Sequence, residues 1–403
     1  MSERLIIVGA GQAAVQAVQS LRVDGFAGPI TLIGDEAYGP YQRPPLSKAY
    51  LLGSFERERL FLKADGFYRE SGCELRLNTK VTAIDRQTKT VTLDDGSSLP
   101  YDKLLLATGT RVRKLTCPGA QLPGVHYLRD IADVDGLQQE FLAGKRIAIV
   151  GGGYIGLEVA AVAAKRGLDV TVFEAMERLM ARAVSRPMSD FFAAEHAKAG
   201  VTIKFKTGVE AIEGKAQVEG ARAGGHLYPA DIVLVGIGVV PNDELAKAAG
   251  LETNDGIVVD RHGMTADSSI FAAGDCTRHV GREGLSIRLE SVQNAIDQAK
   301  HCALAMTGKA KIYSEVPWFW SDQYDLKLQI AGLARPTDTT IVRGDPATRK
   351  FSVFHLRDGV VAAVEAVNAA PDYMIGKKLV ADGVRVAPER LADTAIPIKQ
   401  IAG

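Results

Sequence analysis

The chain has 403 residues, 46% hydrophobic and 24% charged, which is a folded globular composition and excludes a disordered chain. Its 48 Lys and Arg balance its 48 Asp and Glu, which argues against a dedicated nucleic-acid binder, since such a protein needs a basic excess to displace phosphate counterions. The four cysteines (Cys73, Cys117, Cys276, Cys302) form no C-x-x-C pair, so a disulfide framework, a local dithiol centre and a thiolate metal site are all disfavoured. The His residues are scattered, and no metal site is expected. No apolar run approaches the ~18–20 residues that span a bilayer, and the start reads as a strand and glycine turn, not a signal peptide. These features predict a soluble cytoplasmic protein without membrane contact. Any redox chemistry must come from a bound group.

Two to four domains are expected at this length. The first apolar run, Leu5 to Val8, leads into Gly9-Ala10-Gly11-Gln12-Ala13-Ala14. Val15, Val18 and Leu21 then recur at helical spacing, Asp24-Gly25 stops the helix, and Pro29 to Ile33 is a second strand: a βαβ unit. Val91 to Gly96 carries a hairpin signal at Asp95-Gly96. Lys103 to Leu106 is a buried strand ending in Ala107-Thr108-Gly109. The βαβ pattern returns with Arg146 to Val150, the turn Gly151-Gly152-Gly153-Tyr154-Ile155-Gly156, a helix closed by Arg166-Gly167, and Val170 to Glu174. Asp231 to Gly238 and Ser269 to Asp275 are further strand-to-glycine stops. From about residue 316 the texture becomes β-branched, with Val353 to Val367 reading as alternating strands around Asp358-Gly359. The predicted fold class is α/β with two Rossmann-like dinucleotide-binding domains, the second inserted in the first, plus an α+β C-terminal domain. The expected limits are 1–109 and 237–315 for the first domain, 110–236 for the second and 316–403 for the third.

The first glycine turn reads G-x-G-x-x-A. Such a turn lets backbone approach a pyrophosphate, which then sits on a helix N-terminus. On its own it is a weak signal, with chance or plain helix packing as the less favoured alternative. Asp35 follows the second strand as the acid for a ribose hydroxyl, displaced by one position from the strand end; the bland alternative is a loop carboxylate. The second turn is a full G-x-G-x-x-G with Glu174 at the next strand end, a better fit. A carboxylate there accepts from both ribose hydroxyls of NADH and repels the extra phosphate of NADPH, although Arg178 and Arg182 lie close behind. Two nucleotide sites without a dithiol suggest one bound flavin and one exchanging nicotinamide.

Lys103 to Thr110 resembles the A-T-G turn of the two-dinucleotide-binding flavoproteins, and the segment 267–275, ending in F-A-A-G-D, resembles their late flavin motif. Pro40 to Lys48 (P-Y-Q-R-P-P-L-S-K), Glu290 to Ala295 (E-S-V-Q-N-A) and Trp318 to Gln323 (W-F-W-S-D-Q) are similar to the NADH-dependent ferredoxin reductases of bacterial oxygenase systems. The motifs share one order across nearly the whole chain. This resemblance implies that Gly9, Gly11, Ala13 and Ala14 lie against the FAD pyrophosphate. It likewise gives Asp35 the adenosine ribose, Arg43 and Arg129 the FAD phosphates, and Val81 the adenine through its backbone. It implies flavin-side contacts for Lys48, Ala107, Thr108, Gly109, Gly274, Asp275, Glu290, Ser291 and Val292. NADH would meet Gly151, Gly153, Tyr154, Ile155, Gly156, Glu158, Glu174, Arg182 and Gly238.

Lys48 and Glu158 are implied to pair beside the flavin, with Trp320 next to the ring; these three are the expected catalytic residues. The alternatives are a solvated lysine, a carboxylate placed favourably near a helix N-terminus and a core tryptophan. Trp318 shares a strand face with Trp320 by period-two spacing. Cys73, Cys117 and Cys302 read as small buried residues. The implied activity moves hydride from NADH onto FAD and electrons singly onto a two-iron two-sulfur ferredoxin serving a monooxygenase or dioxygenase, from a monomer or weak dimer. The alternatives are a rubredoxin reductase, an NADH oxidase, or a nicotinamide-sensing interaction protein similar to apoptosis-inducing factor. Lys377-Lys378, Arg288 and Arg385 could face an acidic partner or be merely solvated.

Overall fold

The computed structural model describes residues 3–401. Its contacts divide the chain into two compact units. One comprises the chain up to Gln42, Arg57–Arg111 and Val239–Pro317; the other comprises Arg43–Glu56, Val112–Gly238 and the chain from Trp318 on.

The first unit is built on a parallel sheet in the order Ile270–Ala272, Lys103–Leu106, Leu5–Val8, Ile30–Ile33, Cys73–Arg76. Every residue of Leu5–Val8 is buried, as expected of a central strand covered on both faces. Helix Gln12–Val23 packs its Ala13, Ala14 and Ala17 against Ala295, Ala299 and Ala303 of helix Val292–Met306, so small side chains let the two helices lie close. The chain runs one way from Leu5–Val8 to Ile30–Ile33 and returns on the other side through Lys103–Leu106. The carboxyl ends of these strands therefore bracket a topological switch point, where open α/β sheets bind ligands. The hairpin expected around Asp95-Gly96 forms between Thr90–Leu93 and Ser98–Pro100, and extends the smaller sheet begun by Val81–Asp85.

The second unit repeats the plan. Its parallel sheet runs Thr202–Lys204, Asp169–Phe173, Arg146–Val150, Ile232–Val235, Val125–His126. The switch point lies between Arg146–Val150 and Ile232–Val235. This unit also holds an antiparallel sheet in the order Trp318–Gln323, Leu326–Gly332, Val360–Val367, Lys350–Arg357, Thr339–Asp345. The pair around Asp358-Gly359 does not alternate in burial: Phe351 to Leu356 and Val361 to Val367 are buried throughout. The reason is position, because these strands are central and covered on both faces. Helix Ala370–Asp382 lies on one face, where a Cβ on Gly376 would come within 2.6 Å of Val364. Leu157, Phe191 and Phe192 cover Phe351, Val353 and Val367 on the other. Among the described residues no helix is long and apolar enough to cross a membrane.

Candidate active site

Both glycine turns have the same geometry, one in each unit. Gly9 has φ +105°, and a Cβ there would lie 2.2 Å from the Ala107 carbonyl oxygen. Gly151 has φ +109°, with the Gly236 carbonyl oxygen at 2.4 Å from such a Cβ. Only glycine fits at either position. Two residues on, the demand reverses. A Cβ on Gly11 or on Gly153 would meet nothing within 4 Å. Each of these glycines caps its helix, Gln12–Val23 and Tyr154–Lys165, without any side-chain cap. Two helix N-termini thus present bare amides to open space, which fits a dinucleotide pyrophosphate at each. In the first unit, Asp35 is exposed and its carboxylate holds no hydrogen bond among the described residues, while neighbouring Glu36 accepts from the Tyr41 hydroxyl. Ser291 caps helix Val292–Met306 by accepting from the Asn294 amide at 3.1 Å, leaving Val292 as its first residue with a free first-turn amide. The Gly274 amide donates to the Gln298 side chain at 2.8 Å, which ties the late glycine stop to that same helix. The free helix amides suit the phosphates and a ring carbonyl of FAD, and the Asp35 carboxylate suits a ribose hydroxyl that donates to it.

The densest chemistry is in the second unit. Glu158 lies one turn into helix Tyr154–Lys165 and is 4% exposed. A buried carboxylate is costly unless paired and hydrogen-bonded. Lys48 Nζ donates to Glu158 Oε2 at 2.6 Å, and the Ser47 hydroxyl donates to the same oxygen. Ser321 Oγ donates to Oε1 at 2.7 Å. The ammonium of Lys48 also donates to the Pro44 carbonyl at 3.1 Å. The Pro44–Ser47 turn, stiffened by Pro44 and Pro45, holds both donors on one side of the acid. The structure therefore brings Lys48 and Glu158 together, and adds Ser47 and Ser321, to which sequence reading assigned no role although both lie inside quoted motifs.

Glu174 uses both oxygens locally, accepting from the Gly152 amide at 2.8 Å and from the Met176 amide at 2.7 Å. The acid is thus fixed against the glycine turn. Arg178 is folded away onto the Val184 and Ala181 carbonyls at 2.8 and 2.6 Å. Arg182 is exposed, and a Cβ on Gly238 would lie 3.9 Å from its guanidinium. The Tyr154 ring lies 4.6 Å from that of Phe319, and burial, with Glu365 and Glu158 nearby, holds its phenol well above the ordinary value. Trp318 and Trp320 share a strand face with ring centroids 5.6 Å apart, and both are half-buried. Lys377 Nζ sits 5.2 Å over Trp318, while Lys378 pairs with Asp382. Arg43 donates to the Arg129 carbonyl at 2.7 Å. In the first unit Glu290 accepts from Arg288 at 2.6 Å, and Val81 opens a strand paired with Thr90–Leu93.

All four cysteines are free thiols. Burial pushes the Cys73 thiol up to about 11 and raises those of Cys276 and Cys302 as well. Cys117, expected to be buried, is only half-buried.

Residues 3–299 match the pyridine nucleotide-disulphide oxidoreductase family, and residues 318–402 match the reductase C-terminal family. The chain belongs to the pyridine nucleotide-disulphide oxidoreductases. It is 46% identical to rhodocoxin reductase of Rhodococcus erythropolis, over 98% of this chain and 93% of that protein. It matches the crystal structure of the ferredoxin reductase for the CYP199A2 system of Rhodopseudomonas palustris with a TM-score of 0.97 and 41% identity, covering 100% of both chains. The covalent putidaredoxin reductase–putidaredoxin complex matches at TM-score 0.96 and 40% identity, over 99% of this chain and 98% of that one. As a pyridine nucleotide-disulphide oxidoreductase the protein works with FAD and a nicotinamide dinucleotide. The disulphide in the family's name has no counterpart among its free thiols.

Proposed function

We propose that this protein is the NADH-dependent ferredoxin reductase of a bacterial oxygenase system, located in the cytoplasm. The observation that carries this reading is a pair of dinucleotide turns, one in each unit, in a chain whose cysteines are all unpaired. Electrons arriving from a nicotinamide then have no thiol pair to enter. FAD, when bound, supplies hydride acceptance from the nicotinamide and release of the two electrons one at a time. A two-iron two-sulfur ferredoxin is the partner that suits such release, and monooxygenases and dioxygenases are its customers. The relatives whose names state a ferredoxin or an oxygenase system support that assignment.

The residues divide the work. Gly9, Gly11, Ala13, Ala14 and Asp35 hold FAD within the domain expected over 1–109 and 237–315. Gly151 and Gly153 shape the turn that holds the NADH pyrophosphate on the helix Tyr154–Lys165, Gly156 lets the helix close onto that turn, where a Cβ would come within 2.2 Å of the Gly151 carbonyl oxygen, and Glu174 accepts from the adenosine ribose. With Arg178 committed to backbone carbonyls, no guanidinium next to Glu174 is left to welcome a 2′-phosphate except Arg182. NADH is therefore the preferred donor. Glu158 fixes the Lys48 ammonium, a positive charge held in place before the negative charge of hydride transfer develops. Trp320 lies on the strand face opposite Ser321 and is the aromatic that the family resemblance sets beside the flavin ring.

Anaerobic reduction tests the reading. The yellow holoprotein should bleach with stoichiometric NADH, and added two-iron two-sulfur ferredoxin should then show cluster reduction as the flavin reoxidises. Fast oxygen consumption without ferredoxin, together with no cluster reduction, would instead make it an NADH oxidase.

A further inference from the structure

Glu158 is the end of a longer line of hydrogen bonds. Ser321 Oγ, which donates to Glu158, accepts from the Gln323 side-chain amide at 3.2 Å. The Gln323 carbonyl oxygen lies 2.8 Å from His196 Nε2, and the Tyr324 hydroxyl lies 2.9 Å from His196 Nδ1. Ser321, Gln323 and His196 are all 0% exposed. Three elements supply them: the strand Trp318–Gln323, the two-residue turn after it, and helix Arg186–Lys198.

The chemistry of each group fixes the direction of every bond. An ionised carboxylate only accepts, so Ser321 donates its one proton to Glu158. The serine oxygen must then accept, which turns the Gln323 amide nitrogen toward it and the amide oxygen toward His196. That oxygen needs a donor, so His196 carries its proton on Nε2. Its Nδ1 is left to accept from the Tyr324 hydroxyl. Burial lowers the His196 imidazole below its ordinary value, which suits a neutral ring. All four donors therefore point one way, toward the acid, and dipoles aligned in series strengthen one another. The side-chain amide of Gln323 does not pass protons readily, so the line orients a charge and is no proton path.

We infer that Ser321, Gln323 and His196 are positioning residues for Glu158, acting through the Ser321 hydroxyl to hold the carboxylate that in turn anchors Lys48. This inference rests on the reading of Glu158 and Lys48 given above. The groups facing Glu158 are Lys48 and Ser47 from the Pro44–Lys48 segment, Tyr154 from its own helix and Ser321 from the strand; Glu365 lies beyond Tyr154. Nothing else in this set supplies a donor to Oε1.

Two measurements on the holoenzyme test it. Long-range ¹⁵N–¹H correlation of histidine-labelled protein at pH 7 should show His196 neutral with its proton on Nε2. A proton on Nδ1 alone would reverse the line, and a charged ring would break its alignment at Tyr324; either would overturn the inference. In stopped flow, Ser321→Ala should lower the limiting rate of flavin reduction by NADH about tenfold, with the half-saturating NADH concentration unchanged. In a Glu158→Ala background the same substitution should change that rate by less than about twofold, because its target is gone. An equal loss in both backgrounds would mean that Ser321 matters only for packing, and would also overturn it. If Ser321→Ala yields no folded holoprotein, Tyr324→Phe removes one hydroxyl at the half-exposed end; it should move the His196 ring nitrogen shifts, and unchanged shifts would count against the inference. A wild-type holoprotein that NADH does not reduce would defeat the proposed function instead, while the tautomer measurement would still stand on its own.

Discussion

Lys48 Nζ and Glu158 Oε2, 110 positions apart in sequence, meet at 2.6 Å. The pair is inside the fold, with Glu158 at 4% exposure and Lys48 at 19%. Each charge makes the other tolerable there, since a lone buried carboxylate carries a desolvation penalty of several kcal/mol. Glu158→Ala should therefore slow flavin reduction by NADH about a hundredfold, the scale for losing a preorganised charge next to a reacting centre. FAD content of the purified protein should stay close to wild type. Stopped-flow absorbance and the ratio of flavin to protein absorbance read the two effects separately, and unchanged reduction kinetics would remove Glu158 from the mechanism.

The glycines should respond according to what surrounds them. Gly9→Ala forces a Cβ into the Ala107 carbonyl at a positive φ, so soluble folded protein should be lost. Gly11→Ala meets no protein atom and should fold, with melting of the FAD-free chain unchanged, yet bind FAD at least about tenfold more weakly. Gly153→Ala should keep its flavin and instead raise the KM for NADH. Normal FAD retention by the Gly11 variant would show that the first turn does not hold the pyrophosphate.

Cofactor choice should lie with Glu174. Wild type should use NADH with higher kcat/KM than NADPH. Glu174→Gln keeps an acceptor for one of the two turn amides, loses the other and removes the charge, so the preference should narrow by about tenfold, worth ~1.4 kcal/mol. Equal efficiency with both nucleotides in the wild type would refute this role.

His279 makes a pH prediction. Buried at 3% exposure, it is lowered from 6.5 to about 4 by desolvation, and its Nδ1 lies 3.0 Å from the Gln298 amide. Between those two values the unfolded chain takes up a proton that the folded chain refuses. Stability should fall as pH drops through that window, show no His279 contribution above it, and level off below about 4. The full difference is about 3 kcal/mol. The Tm of His279→Gln should accordingly fall less than that of wild type between pH 6.5 and 4.5; parallel curves would contradict it.

Thiol chemistry should be silent. Cys73, Cys276 and Cys302 are buried, and burial holds their thiols protonated. A disulfide-forming reagent should modify Cys117 alone in the native protein and all four cysteines after unfolding. NADH-dependent flavin reduction should be unaffected by the native modification. Its loss would point to a redox thiol after all.

Some of this was legible in the sequence, and for identifiable reasons. Glycine turns after apolar strands are local patterns, so both βαβ units, Gly9, Gly11, Gly151 and Gly153 could be read directly. Period two placed Trp318 and Trp320 on one face, and their rings do lie side by side. Burial of the strands around Asp358-Gly359 could not be read, because it depends on a helix and an aromatic cluster from elsewhere in the chain. Apart from Lys48, which the resemblance paired with it, the surroundings of Glu158 were hidden for the same reason. Ser321 reaches it across 163 positions, and His196 meets Gln323 across 127. An isolated serine, glutamine or histidine gives no signal of such a meeting. The one available hint was that Ser47 and Ser321 sit inside motifs whose better-known members are lysine and tryptophan.

The strand Trp318–Gln323 carries two different cargoes on its two sides. Trp318 and Trp320 occupy one, while Phe319, Ser321 and Gln323 occupy the other, where Tyr154, Glu158 and His196 await them. Only two residues, Tyr324 and Asp325, join this strand to Leu326–Gly332. Adding a single amino acid upstream of Trp318 would be absorbed by a loop, whereas adding one between Phe319 and Ser321 would put everything beyond it out of step. Ser321 and Gln323 would turn away from Glu158 and His196 while Trp318 and Phe319 kept their sides, so one inserted codon would remove the polar line without moving the first indole.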